Sequence, residues 1–167
     1  RDFSTVEKLT EFNVDVYIDI MKDYGKESAY TEINKEKFLS WYSKESKNLF
    51  FYIVYYSLKG NKIPVGFVGF KGDAVYKVKG VVEKEKVQQN YFVEIYLKKE
   101  YTNKGLGELV YRVAEERFLK QDVDYSLGLV NVYASIFKDN TPSILFFSKT
   151  LKFEEYKKVG DVVVLKK

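Results

Sequence analysis

Near its start, the 167-residue chain has apolar positions that fit two periods at once. Val14, Val16, Ile18 and Ile20 alternate as on a strand, whereas Phe12, Val16 and Ile20 with Tyr17, Met21 and Tyr24 form a helical stripe that stops at Gly25. We take the helix, and upstream of it Ser4 and Glu7 stand at the spacing of a capping box. A second helix follows, with Asn34 placed to cap it and Phe38, Leu39, Trp41 and Tyr42 on one apolar face. From residue 49 the pattern becomes strand-like: runs 49–57 and 63–71, separated by Lys59-Gly60-Asn61, predict a hairpin. Residues 81–89 are polar and charge-rich, a loop or strand extension before the apolar run 91–97.

Beyond Gly105-Leu106-Gly107 the helical period returns, with Leu106, Leu109, Val110, Val113 and Ala114 on one side and Glu108, Arg112, Glu115 and Glu116 largely on the other. A strand is predicted over 125–137. Asp139-Asn140-Thr141-Pro142 then starts a short helix, with Thr141 as cap, Pro142 at its first position and Ile144, Leu145, Phe147 and Leu151 on its apolar face. The chain closes on strands at 153–158 and 162–165 about a Gly160-Asp161 turn. The predicted order is α-α-β-β-β-α-β-α-β-β, an α/β (α+β) chain with a mixed sheet flanked by helices, and its length fits one domain over residues 1–167.

Composition narrows the chemistry. Hydrophobic residues are 46% of the chain and aromatics 17%, enough apolar material to offset the conformational entropy lost on folding. The chain has neither Cys nor His, so thiolate nucleophiles, imidazole bases and zinc sites of the usual ligand set are excluded, and no metal is expected. Any chemistry falls to carboxylates, Tyr, Lys, hydroxyls, backbone amides or a bound cosubstrate. No apolar run approaches the roughly 20 residues that span a bilayer, and the first residues lack a signal-peptide stretch, so no membrane partner and a cytoplasmic location are expected. The 28 Lys and Arg against 24 Asp and Glu give a net charge of +4 with the signs mixed along the chain. That favours an anionic ligand but falls short of a nucleic-acid footprint, leaving only the abundance of Lys and Tyr behind such a reading.

The segment Tyr101-Thr102-Asn103-Lys104-Gly105-Leu106-Gly107 joins a predicted strand to a predicted helix. Free amides and the helix dipole favour an anion at such a junction, and glycines let a phosphate approach the backbone. The same turn would also serve plain tight packing. A dinucleotide fingerprint would need a third Gly where Val110 stands, and a P-loop would need Gly-Lys-Ser/Thr; neither fits.

Residues 102–107, with Gly105 and Gly107 in place, resemble the signature of the GNAT superfamily of N-acetyltransferases, Gln/Arg-x-x-Gly-x-Gly/Ala, except that Thr102 stands where Gln or Arg is usual. A second block of that family is similar to Asn140, Ser143, Phe147 and Phe153 here, with Lys152 where Gly is common and Phe147 at the aromatic position often held by Tyr. The order and spacing of elements from residue 49 onward match too. The resemblance implies acetyl-CoA as cosubstrate, lying in a V-shaped opening between the strands ending near Leu97 and Phe137. Backbone groups of Ile95, Tyr96 and Leu97 would bond the pantetheine arm. Amides of Asn103, Lys104, Gly105, Leu106 and Gly107 would take the pyrophosphate, with Lys104 adding charge, and Thr102, Asn140 and Phe147 would contact the coenzyme.

The reaction so implied is direct attack of a primary amine on the thioester in a ternary complex, the acceptor being a peptide, protein or small molecule. Glu94 is the candidate base because it interrupts the apolar run 91–97, although a carboxylate there also reads as exposed or salt-bridged. Phe147 has no proton to give, so Tyr133 or water would protonate the departing sulfur. Lys104 also reads as an ordinary surface lysine, Asn140 as a helix cap and Phe147 as core. The departures at Thr102, Phe147 and Lys152 leave a second reading: a GNAT-fold module that binds acyl-CoA or a partner without transferring. Strand edges near the C-terminus leave a homodimer open.

Overall fold

The chain begins with a strand, not a capped helix. In the computed structural model, which describes residues 2–24, 35–72, 88–102 and 104–167, β1 (Asp2–Lys8) pairs antiparallel with β2 (Leu49–Leu58), setting Thr5, Val6, Glu7 and Lys8 opposite Tyr55, Val54, Ile53 and Tyr52. The Ser4/Glu7 spacing is therefore not a capping box: pairing with a buried neighbour decides the backbone there, and a strand precedes the predicted order. The other elements are α1 (Val14–Lys22), α2 (Lys35–Lys44), β3 (Asn61–Gly72), β4 (Gln88–Leu97), α3 (Gly107–Arg117), β5 (Leu129–Phe137), α4 (Thr141–Leu145), β6 (Glu154–Val159) and β7 (Val162–Lys166). Gln88 and Gln89 belong to β4, while Asn34 and the rest of the 81–89 stretch lie outside the described residues. The seven strands run in the order β1-β2-β3-β4-β5-β7-β6. β4 and β5 are parallel, which requires a crossover, and α3 supplies it.

The chain divides into two compact units, Arg1–Gly69 with Ile95–Val123 and Phe70–Glu94 with Asp124–Lys167, so β3 and β4 each contribute to both. In the first unit, α1 buries Val14, Tyr17, Ile20 and Met21, positions three and four apart that only a helix brings to one face. Phe12, assigned to that stripe by the sequence, sits on the preceding turn and is 91% exposed. Tyr17 stacks on Phe38 of α2 with centroids 5.1 Å apart and tilts against Phe67 at 4.7 Å, while Trp41 packs against Phe38 and Phe51. Between β2 and β3, Lys59 and Gly60 both take positive φ, 51° and 81°, the shape of a two-residue hairpin turn.

The buried side of α3 is Val110, Tyr111, Ala114 and Glu115, continued by Phe118. This rotates the predicted face: Leu109 is exposed, and Glu115, expected outside, is inside because the Tyr111 hydroxyl donates to its carboxylate at 2.5 Å. The turn after α3 carries Asp122, which accepts the Tyr52 hydroxyl at 2.6 Å and pairs with Arg117 at 3.2 Å, fastening the helix end to β2.

In the second unit, β5 is shorter than predicted, because residues 125–127 form a 3₁₀ turn held by the Asp124 side chain. The first half of β4 pairs with β5 from Gln88↔Leu129 to Phe92↔Tyr133, and β5 pairs antiparallel with β7. Asn90 is buried, and its side-chain Oδ1 accepts from the Asn131 side-chain amide at 3.1 Å, so a polar pair sits inside this ladder. The cap of α4 is Asn140, one residue earlier than the predicted Thr141: its side-chain oxygen accepts the Ser143 N–H and its carbonyl the Ile144 N–H. A π-helical turn over 146–150 widens the end of this helix. It buries Phe147 and Leu151 and leaves Leu145 exposed, and it closes with Phe153 N–H on the Phe147 carbonyl.

Candidate active site

The β4 exit and the glycine turn belong to the first unit. Lys98 N–H donates to the Val65 carbonyl of β3 at 2.8 Å. Strand alternation then turns the N–H and C=O of Leu97 and Ile95 away from β3. Gly66 lies beneath this point: a Cβ added there would fall 2.9 Å from the Leu97 side chain and 3.0 Å from the Tyr96 carbonyl oxygen, so only glycine lets β3 approach so closely.

Three consecutive residues leaving β4 are each held by the last turn of α1 or the two residues that follow it. The Tyr24 hydroxyl donates to the Leu97 carbonyl, Lys98 Nζ pairs with Asp19 at 3.1 Å, and the Lys99 N–H donates to the Asp23 carboxylate at 2.9 Å. Tyr24 also meets Tyr96 edge-on at 4.9 Å. Burial first, and then the Asp23 charge, push the Tyr24 phenol above its ordinary value, so it stays a hydrogen-bond donor. This clamp was not foreseen from the sequence, because its partners lie more than seventy residues apart.

After the clamp, residues 99–101 make a 3₁₀ turn on which the Thr102 hydroxyl donates back to the Lys99 carbonyl at 2.7 Å. Lys104 and Gly105 are exposed, and Gly105 has φ +72° with open space where a Cβ would stand. The glycine is thus demanded by the backbone conformation itself, in addition to any ligand. Leu106 precedes α3 without a side-chain cap, and its carbonyl takes the Val110 N–H. The N–H groups of Gly107, Glu108 and Leu109 therefore have no acceptor within the helix, which gives an uncapped positive terminus beside a left-handed glycine and an exposed lysine. An anion of pyrophosphate type fits this arrangement. Asn103 lies outside the described residues.

The remaining candidates belong to the second unit. Glu94 pairs with Lys71 Nζ at 3.3 Å, and the two side chains are 27% and 23% exposed. Lys71 ends the apolar run of β3 as Glu94 interrupts that of β4, and these adjacent breaks were the available sequence signal for the pair. Tyr133 is 3% exposed, stacked on Phe92 at 5.4 Å with Tyr156 edge-on at 5.1 Å. Asn140 uses its side chain as a cap, and Phe147 is 5% exposed between Phe146 and Phe153. Lys152, where the resemblance has glycine, takes φ +64°, keeping the glycine's conformation without the glycine.

The mixed fold of this chain is shared with N-acetyltransferases of known structure. A spermidine N-acetyltransferase, SpeG, from Vibrio cholerae, in a mutant form, superposes with a TM-score of 0.68 at 14% identity, covering 97% of this chain and 93% of that one. The ribosomal-protein-alanine N-acetyltransferase from Brucella melitensis gives 0.61 at 16% identity, with 98% of each chain covered. The Campylobacter jejuni N-acetyltransferase PseH, solved in complex with acetyl coenzyme A, gives 0.59 at 14% identity, again with 98% of each chain. No curated protein matches this sequence significantly. Residues 13–153 match the Acetyltransferase (GNAT) family, and the chain belongs to that family.

Proposed function

We propose that this chain transfers the acetyl group of acetyl-CoA directly to a primary amine of a peptide, protein or small molecule, in a ternary complex. The observation that carries the reading is the uncapped terminus of α3 behind Gly105, in a chain of the GNAT family. The pyrophosphate is assigned to the amides of residues 103–107, with Lys104 adding charge. The Leu97 carbonyl already accepts the Tyr24 hydroxyl, so the pantetheine arm is assigned to the Leu97 N–H and the backbone of Ile95. Glu94, the residue before that segment, is assigned to accept the amine's proton as the C–N bond forms. The departing thiolate, whose parent thiol has a pKa of about 8.5, takes its proton from Tyr133 or water.

Calorimetric titration with acetyl-CoA, with NADH and ATP as controls, tests the reading. Selective binding that is lost in Gly105→Glu is the expected result, followed by turnover on some member of an amine panel. No binding by the folded protein overturns it. A second reading, coenzyme binding without transfer, is favoured by Phe147, which offers no proton where many relatives carry a Tyr. Binding without turnover across the panel would support it.

A further inference from the structure

Where β4 ends, two successive backbone amides and the carbonyl before them are taken by other parts of the first unit. The peptide joining Leu97 to Lys98 is tied at both ends: its N–H donates to the Val65 carbonyl at 2.8 Å, and its carbonyl accepts the Tyr24 hydroxyl. The next amide, the Lys99 N–H, donates to the Asp23 carboxylate at 2.9 Å. The phenol is itself aimed from a fixed ring. Tyr24 meets Tyr96 edge-on at 4.9 Å, Tyr96 stacks on Phe67 at 6.4 Å, and Phe67 packs against Tyr17 of α1 at 4.7 Å. Water would satisfy the same groups at an ordinary exposed strand exit, so these ties fix a direction and do more than fill a hydrogen-bonding need.

We propose that Tyr24 is a positioning residue for the pantetheine arm; this rests on the assignment of that arm to the Leu97 N–H and the Ile95 backbone. Holding the Leu97 carbonyl restricts the dihedral angles of Leu97, and with them the direction in which its N–H leaves the strand. Asp23 restricts the following residues in the same way. The order that the arm requires is in place before it binds, which removes that cost from binding. Without the hydroxyl, the carbonyl turns to water and the exit takes several directions. Only the correctly directed fraction of molecules then receives the arm, and the apparent affinity falls with that fraction. In this role Tyr24 moves no proton; its effect passes through the Leu97 backbone. The pyrophosphate end is shaped by other means, the left-handed Gly105 and the uncapped terminus of α3, so the two ends of one ligand report separately on the clamp.

The test is calorimetric titration of the wild-type chain and of Tyr24→Phe, which keeps the ring against Tyr96, with two ligands. One is acetyl-CoA; the other is adenosine 5′-diphosphate 3′-phosphate, which keeps the pyrophosphate end and lacks the arm. Tyr24→Phe is expected to weaken acetyl-CoA by about three- to tenfold, the scale of one net hydrogen bond, and the armless nucleotide by less than about twofold. Equal weakening of both ligands means a general structural role, and an unchanged acetyl-CoA affinity means none; either overturns the proposal. Amide hydrogen exchange on the wild-type chain gives a reading that needs no variant. The Lys98 and Lys99 N–H groups are expected to be protected by at least about tenfold before any acetyl-CoA is added. Exchange at both that slows only once acetyl-CoA binds means an exit ordered by its ligand, and it overturns the proposal even where Tyr24→Phe folds poorly. These results sink the inference alone, whereas absence of acetyl-CoA binding by the wild-type chain removes the transfer reading with it.

Discussion

Lys152 holds a backbone conformation that a side chain resists. At φ +64° its Cβ crowds the following carbonyl, a strain of roughly 1–2 kcal/mol in an L-residue, yet the Phe153 N–H bond to the Phe147 carbonyl and the burial of Leu151 and Phe153 require the chain to turn there. Lys152→Gly is therefore expected to raise stability by about 0.5–1 kcal/mol, the relief being partly offset by glycine's greater unfolded-state freedom, and urea denaturation would measure it. The residue at this position departs from the family pattern in the sequence, but only the φ angle shows that the departure is chemical and not conformational. Asn140 is a converse case. Its type suggested either a cap or a ligand contact, and its oxygen accepts the Ser143 N–H, so the cap is in place before any coenzyme arrives.

At the scale of elements, the legible parts were those whose apolar period is unambiguous: the β2–β3 hairpin, the β4 run, the glycine turn with its helix, and the terminal β6–β7 hairpin. Two failures have physical causes. β1 carries few apolar residues and takes its conformation from its partner β2, which no local pattern encodes. The face of α3 was misread by about one position because leucines and valines occupy both sides. Tyr111 and Phe118 decide the orientation, and Tyr111 brings Glu115 inward with it. The site was legible in the same uneven way. The glycine turn announces itself, whereas the clamp of Tyr24, Asp23 and Asp19 on the β4 exit is built from ordinary residues joined by tertiary contact. Gly66 is hidden too, although the packing of β3 against β4 depends on it. Gly66→Ala is expected to cost about 1–3 kcal/mol through overpacking and to weaken acetyl-CoA binding by displacing Leu97. Thermal melts and calorimetry would read the two effects, and an unchanged melting temperature would contradict the close approach.

For the whole molecule, the absence of Cys and His removes the side chains that ordinarily titrate between about pH 6 and 9, so stability should be nearly flat across that interval. The alkaline limb is different. Burial, and then the charge of Asp122, push Tyr42 up to about 12, and burial drives Tyr52, Tyr55 and Tyr111 upward as well. Unfolded phenols lose their protons near pH 10 while these folded ones keep theirs, so their contribution is complete below about pH 10 and falls away above it, that of Tyr42 as pH rises through about 12. Denaturant titrations at stepped pH should show a plateau followed by this loss, with a distinct further rise in tyrosinate absorbance accompanying unfolding as the buried phenols reach water. The aromatic stack of the first unit adds a convenience. Trp41, the one tryptophan of the chain, is wedged against Phe38 and Phe51, so fluorescence has a single emitter whose colour and quenching follow the docking of α2 on β2 without any dye, and a stopped-flow trace of refolding would time that docking directly.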